Sequence, residues 1–368
     1  MTTYKQTIQE ITLLNQLTPG THKIYDIVHT QYTTLHQMTW EQLIQEAEQD
    51  EQTIHKPGKR RIKKRIQEYI YHLLEEDKQP TTIKQYITIL KKLYTTNEIE
   101  IPQIKLPRIN PNREGYEDLP TRQEITQAIH NSKLKMKATI LLIVSSGMAR
   151  NEVCNLTIQD FKEATREYYH HEPETVYELI NILKKQQHII PVWHIKRRKT
   201  NVNYITCNSP EATKHILQLL ELRLIHNVLT FEDTLLGYNT PSLVTHNFMR
   251  LNDRLGFGRL ATRRRFHPHA LRSYFATTIN SRGMPYLCAE FMLGHTVDST
   301  RSAYYKAEPS QIKREYMRVV NYLSFVTHIE TVTLDDDERR ELEELKEYKQ
   351  YTEQRMLKLE EAVRTLTL

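Results

Sequence analysis

The sequence predicts a mainly helical protein with one small β-sheet, an α+β chain of more than one domain. Three observations predict it. Apolar residues recur at helical spacing through most of the chain, as at Ile66, Tyr69, Ile70 and Leu73. Strict polar–apolar alternation is confined to the stretch that holds Val192, His194 and Lys196 and then Val202, Tyr204 and Thr206. Glycine is scarce, at 9 in 368 residues, which disfavours a Gly-rich nucleotide-binding fold. A chain of this length suggests two or three folded units.

Composition narrows the class. Charged residues make up 26% and hydrophobic residues 39%, the balance of a globular protein in water. No apolar run is long enough to span a membrane, and MTTYKQTIQE lacks the basic-then-apolar pattern of a secretory leader, so a cytoplasmic protein is expected. Cys154, Cys207 and Cys288 are isolated, which argues against a disulfide scaffold or a structural zinc site. The net charge of +6 understates the basic character. Leu334 to Leu368 carry eleven acidic and seven basic residues, a net of −4, so the remainder carries +10. A basic body with an acidic tail is an electrostatic footprint of nucleic-acid binding, though solvated surface charge gives the same count.

In chain order, residues 1–105 read as a helical domain, with amphipathic patterns opening at Thr21 and again at Trp40. The run KPGKRRIKKR, Lys56 to Arg65, holds seven basic residues: Lys56, Lys59, Arg60, Arg61, Lys63, Lys64 and Arg65. Positive charge at the start of a helix opposes its dipole, so a phosphate partner such as the DNA backbone would relieve it, with plain solvated charge as the alternative. Pro80 then begins a further helix through Leu93. Residues 101–118 contain three prolines and no periodicity, which places a linker at 106–118 and a second domain at 119–325. Thr121 and Glu124 form a capping box. Leu134 to Ala149 is apolar enough for a buried helix, broken at Gly147. From Thr175 the texture turns to β, leading to a hairpin with a basic tip, and Ser209-Pro210 starts the next helix. Residues 226–266 are less legible, but Arg250, Arg254, Arg259, Arg263, Arg264 and Arg265 form another basic approach. From 334 to 368, Leu345, Thr352, Leu359 and Leu366 recur every seven residues, with Leu342, Lys349, Met356 and Val363 three before each. This heptad seam predicts a coiled-coil-like C-terminal helix that pairs with another helix.

The chemistry concentrates in HALRSYFATTINSRGMPYLCAEFMLGHTVDSTRSAY, His269 to Tyr304. His269 and Arg272 lie three apart, on one face of a helix. Gly283 caps that helix, Pro285 opens the next, Gly294 closes it, and His295 follows at once. Tyr304 and Tyr305 come nine and ten residues later. A planar guanidinium matches a phosphate, and a phenol can attack one. His267 and His269 could suggest a metal, but no third ligand has suitable spacing.

HALR, LGH and the tyrosine, in that order and spacing, resemble the tyrosine recombinase (integrase) family. AYYKAEP and REYMRVVNYL look most like members carried by archaeal mobile elements. The resemblance implies a site-specific recombinase that cuts and rejoins double-stranded DNA through a 3′-phosphotyrosyl link, without metal or other cofactor, as a tetramer on two sites. It also implies an N-terminal core-binding domain that forms half of a clamp around DNA. The motifs carry roles onto this chain. Arg150 and Arg272 would grip the scissile phosphate, and His295 would add a donor. His269 would move the proton of the nucleophile, and Tyr304, with Tyr305 as the alternative, would attack. Lys199 on the hairpin, with Lys196 as the alternative, would protonate the departing 5′ oxygen. Lys196, Arg198 and Arg263 to Arg265 would join the Lys56–Arg65 run in holding DNA. One departure stands out. Relative to Gly147, Glu152 and Leu156 fall where the family pattern has them, but Ala149 takes the usual arginine position and Arg150 comes one later. Two rival readings use the same residues: relaxation of DNA in the manner of a type IB topoisomerase, and a DNA-binding protein that no longer cuts.

Overall fold

The computed structural model describes residues 3–15, 17–108, 115–197, 202–260, 263–295 and 308–325. The heptad stretch 334–368 lies outside them, as do Arg198, Lys199, Tyr304 and Tyr305. The chain divides into two compact units, residues 1–113 and 114–368. No helix among the described residues is long and apolar enough to cross a membrane.

The first unit is all helical: α1 (Tyr4–Asn15), α2 (Pro19–His36), α3 (Trp40–Thr53), α4 (Arg61–Glu75) and α5 (Pro80–Thr96). Their starts are written in the sequence. Thr18 accepts from Thr21 N–H ahead of Pro19, and Thr39 and Gln42 cap each other across the first turn of α3. The expected stripe on α4 is buried, from Ile62 through Ile66, Tyr69, Ile70 and Leu73, and meets Ile83, Ile87, Leu90 and Leu93 of α5. Tyr32 and Tyr94 share a hydroxyl–hydroxyl hydrogen bond of 3.2 Å inside this core.

The basic run of this unit behaves differently from the sequence expectation. Its three arginines are held by carboxylates of the same unit. Arg60 is 8% exposed and donates to Glu51 at 3.1 Å and Glu100 at 2.8 Å. Arg65 makes a two-pronged contact with Glu46 at 2.5 and 2.6 Å. Buried Asp50 accepts from both the backbone N–H of Arg61, at 2.5 Å, and its Nε, at 2.8 Å. A carboxylate from α3 therefore supplies the negative charge that the start of α4 requires, and no phosphate is needed for it. Lys56, Lys59 and Lys64 remain exposed, and Lys63 is partly so.

The second unit contains α6 (Arg122–His130), α7 (Leu134–Ser146), α8 (Arg150–Asn155), α9 (Ile158–Ala164), α10 (Val176–Lys184), α11 (Pro210–His226), α12 (Pro241–Leu255), α13 (Pro268–Ser281), α14 (Tyr286–Met292) and α15 (Pro309–Val319). Strands β1 (Val192–Lys196) and β2 (Asn203–Cys207) form the antiparallel hairpin, with Val192 opposite Cys207 and Lys196 opposite Asn203. A minimal second hairpin joins β3 (Arg259–Leu260) and β4 (Arg263–Arg264). The β texture expected from Thr175 begins only at Val192. Thr175 instead caps α10, accepting from Glu178 N–H, and Leu179, Ile180 and Leu183 bury at helical spacing.

Helix α7 is the central post. Nearly every residue from Ala138 to Ser146 is buried, and α11 and α13 pack along it. It stops at Gly147, whose φ of +67° suits glycine, and a β-carbon there would lie 2.3 Å from the Phe275 ring of α13. The hairpin is fixed to this post by Thr206 Oγ1, which donates to Ser146 O at 2.7 Å. Its other face carries α14 and α15, through Ile205, Cys207, Cys288, Met292, Ile312 and Tyr316. The hydroxyl of Tyr316 donates to Ser145 O at 2.7 Å, which ties α15 to the C-terminal end of α7.

Replacing Asp50 by Ala should remove a helix cap and leave the Arg61 guanidinium with one carboxylate fewer. A loss of about 1–3 kcal/mol is expected in urea unfolding followed by fluorescence, with Trp40 reporting from the same unit.

Candidate active site

Helix α13 begins at His267, whose Nδ1 accepts the Ala270 N–H at 3.1 Å, and Pro268 takes the first helical position. A ring nitrogen that accepts must be unprotonated. Burial, then the charge of Arg263 and of His269, hold His267 down to about 4. His269 lies two residues on, with its pKa below the ordinary imidazole value because of partial burial, then Arg272 and Arg263. It is therefore a neutral base at pH 7.

One turn later Arg272 is 8% exposed, an uncommon place for a guanidinium. It is held by the ends of two helices. Its Nη1 donates to Gly147 O, where α7 stops, at 2.5 Å. Its Nη2 donates to Leu293 O, where α14 stops, and faces His295 Nε2 at 3.5 Å. The other nitrogen of His295, Nδ1, sits 3.0 Å from Glu290 Oε2, one turn back on α14. The ring is thus oriented by a carboxylate on one side and by Arg272 on the other. Gly294 makes this turn possible. Its φ is +60°, and a β-carbon would come within 2.7 Å of the Tyr204 ring.

Beneath the turn lies Glu152, at the third position of α8. One oxygen accepts from Ala149 N–H at 2.6 Å and Tyr204 Oη at 2.7 Å. The other accepts from Arg197 Nε at 2.9 Å. Arg272 Nη1 stands 4.0 Å away. The Tyr204 phenol is held well above its ordinary range by burial and by the Glu152 carboxylate. Arg197 continues upward: its Nη1 donates to Gly294 O at 2.9 Å and its Nη2 to Leu293 O at 2.8 Å. Both Arg197 and Arg272 therefore donate to the same carbonyl oxygen. Arg272 has its pKa lowered by burial first and by the charge of Arg197 second.

The structure brings Arg272 and His295 into contact and sets His269 on the same helix face as Arg272. Arg150 has other partners. The Arg150 guanidinium donates to Thr245 Oγ1 of α12 at 2.6 Å and to Asn151 Oδ1 at 3.2 and 3.3 Å. Among the described residues, no hydrogen bond or ion pair joins it to Arg272, Glu152 or His295. The physical cause is the one-residue offset: at the start of a helix it turns a side chain by about 100°. Arg197 is the residue that sequence reasoning missed. It lies between Lys196 and Arg198, both read as DNA contacts, and nothing in a basic hairpin tip separates one cation from its neighbours.

Two of the expected DNA-holding arginines also have internal partners. Arg264 makes a two-pronged contact with Asp253, at 2.7 Å for each prong. Arg265 donates to Leu119 O at 2.8 Å and pairs with Glu124 at 3.3 Å. Arg263 and Lys196 lie exposed.

Residues 121–311, more than half of the chain, match the phage integrase family. Among solved structures, XerA recombinase is similar at 18% identity, covering 85% of this chain and 96% of that one, with a TM-score of 0.36. A lambda integrase dimer bound to a core site is similar at 16% identity, covering 67% and 83%, with a TM-score of 0.45. The Tn1549 transposon integrase in complex with circular intermediate DNA is similar at 16% identity, covering 84% and 97%, with a TM-score of 0.46. No curated protein sequence matches the chain.

Two outcomes follow from the site. Gly294→Ala should cost about 1–2 kcal/mol through its left-handed backbone alone, with the Tyr204 clash added. Thermal unfolding should read this loss, and any DNA-cleaving activity should fall with it as the His295 turn shifts. The His267 effect has a definite sign. Its folded-state pKa, about 4, lies below the ordinary 6.5, so protonation favours the unfolded chain. Stability contributed by this group is present above pH 6.5 and is lost as pH falls towards 4. His267→Ser keeps a capping oxygen without the titration and should flatten that part of the stability–pH curve.

Proposed function

Because the chain belongs to the phage integrase family, and so is a site-specific DNA recombinase of the tyrosine type, we propose that its active site is assembled on the Arg272–His295 contact, with Tyr304 as nucleophile. The observation that carries this reading is the shared turn at Leu293–Gly294. It delivers a buried guanidinium and an imidazole, 3.5 Å apart, to one place. A phosphodiester offers both of them an acceptor.

The reaction then runs on this chain's own groups. Tyr304 Oη forms a bond to the scissile phosphorus as the bond to the 5′ oxygen breaks. His269, neutral at pH 7, takes the phenolic proton. Lys199 gives a proton to the departing 5′ oxygen, leaving a free 5′ hydroxyl and a 3′-phosphotyrosyl ester. Arg272 offsets the charge that grows on the non-bridging oxygens. His295 offers Nε2 to the same group while Nδ1 stays on Glu290. The ester conserves the energy of the broken bond, so attack by a 5′ hydroxyl from a second duplex reseals the strand without a high-energy cofactor.

The first unit serves as the core-binding domain, and its exposed Lys56, Lys59 and Lys64, with partly exposed Lys63, hold DNA phosphates. Lys196, Arg198 and Arg263 do the same near the site. The protein works as a tetramer on two DNA sites within the nucleoid, and the heptad seam of residues 334–368 pairs its subunits. AYYKAEP and REYMRVVNYL support an origin in an archaeal mobile element.

On a nicked suicide duplex, the parent protein should accumulate a covalent DNA adduct, and Tyr304→Phe should abolish it while Tyr305→Phe leaves it in place. An adduct that survives in Tyr304→Phe and disappears in Tyr305→Phe would move the nucleophile by one residue. A parent that binds DNA but forms no adduct would favour the binding-only reading.

A further inference from the structure

Taking the recombinase reading as its basis, we infer that Arg197, at the end of strand β1, supplies the second guanidinium to the scissile phosphate, a place that Arg150 does not take.

Three observations carry this. The first is proximity. Arg197 and Arg272 reach the same acceptor, Leu293 O, so their Nη2 atoms flank one oxygen beside His295. The second is charge. Two guanidiniums face one carboxylate, Glu152, at 2.9 Å and 4.0 Å, while Glu290 is engaged with His295. The cluster of Arg197, Arg272 and Glu152 therefore keeps a surplus positive charge in a largely desolvated place. A phosphodiester brings one negative charge to it, and the five-coordinate transition state brings a second. The third is rigidity. Arg197 N–H donates to Val202 O at 2.9 Å, one step beyond the β1–β2 ladder, and the Arg197 guanidinium lies over the Tyr204 ring at 5.4 Å. Among the described residues three of its five N–H groups are engaged, by Glu152, Gly294 and Leu293, and its side chain keeps 18% exposure. Electrostatic catalysis depends on donors fixed before the charge arrives, and this arrangement supplies one.

The structural alternative is that Arg197 only holds the turn that presents His295. A methylphosphonate at the scissile position separates the two roles, because it replaces one non-bridging oxygen by methyl and makes the group neutral. A guanidinium that offsets phosphate charge becomes dispensable on such a substrate. One that only holds the turn does not.

The full chain is used, on nicked duplexes carrying either linkage within a site selected from DNA that the parent binds. Arg197→Ala should slow adduct formation on the phosphodiester by about 100-fold or more. On the methylphosphonate it should return to within about tenfold of the parent. Arg197→Lys, which keeps the charge and is the safer variant for folding, should show a smaller loss in the same pattern. Arg150→Ala should lose far less and gain nothing from the methylphosphonate. Failure of the methylphosphonate to restore both Arg197 variants, with unchanged thermal unfolding, would overturn the assignment. So would the large loss and recovery appearing in Arg150→Ala instead. An active parent matched by Arg197→Ala would overturn the Arg197 assignment alone, whereas a parent forming no adduct on either linkage would overturn the recombinase reading with it.

Discussion

The site depends on one carbonyl oxygen. Leu293 O ends helix α14, and helix ends leave carbonyls without intrahelical partners. In this protein that orphan acceptor takes N–H groups from two guanidiniums, Arg197 from the hairpin and Arg272 from α13. Three elements distant in sequence are thereby locked at a single point: residues 192–197, residues 268–281 and residues 286–295. A fourth, α7, joins through Gly147 O. Charged hydrogen bonds of this kind are worth roughly 1.5–3 kcal/mol each. Their greater effect is geometric, because they fix where His295 sits relative to Arg272 before any DNA arrives.

The glycines at this point are determined by the same constraint. Gly147 and Gly294 each adopt left-handed backbone and each lies against an aromatic ring, Phe275 and Tyr204 respectively. The rings leave no room for a β-carbon and bring the two helix ends close enough for one guanidinium to bridge them. Scarcity of glycine elsewhere in the chain makes these two positions informative. In such a sequence, a glycine that ends an apolar helix just before a basic residue marks a place where backbone carbonyls are exposed for use.

The limits of sequence reading follow from the range of each interaction. Helix starts were legible because caps are local: Thr121 with Glu124, and Ser209 with Pro210, act within one turn. The hairpin was legible because the period-2 pattern of Trp193 and Ile195 buries one face. Thr175 to Lys184 was misread because its apolar run is short, and a short run does not separate helix from strand without its cap. Charge was the least legible property. The seven basic residues of Lys56–Arg65 read as a single patch, yet Glu46, Asp50, Glu51 and Glu100 neutralise its three arginines from positions up to forty residues away. Lysine and arginine separate here by geometry. The planar forks go to carboxylates inside the unit, and the ammonium groups stay in water.

The same separation of local from distant information explains the displaced arginine. Glu152 folds back on Ala149 N–H, so position 149 lies beside the carboxylate and position 150 does not. A guanidinium attached at 149 would need no other element to meet Glu152. Attached at 150 it turns to Thr245 of α12, and Glu152 is left with a largely buried negative charge whose desolvation must be compensated. Arg197 provides that compensation from the hairpin. The consequence reaches beyond pairing. With its guanidinium on the hairpin side of Glu152, the site has its two cations anchored on β1 and α13, the elements that also hold the His295 turn. The charge beside Glu152 is thereby tied to the hairpin through Arg197. An arginine at 149, rooted at the start of α8 directly after α7, would not be coupled to the hairpin in this way. Exchanging the anchoring element moves this charge from the start of α8 to the hairpin.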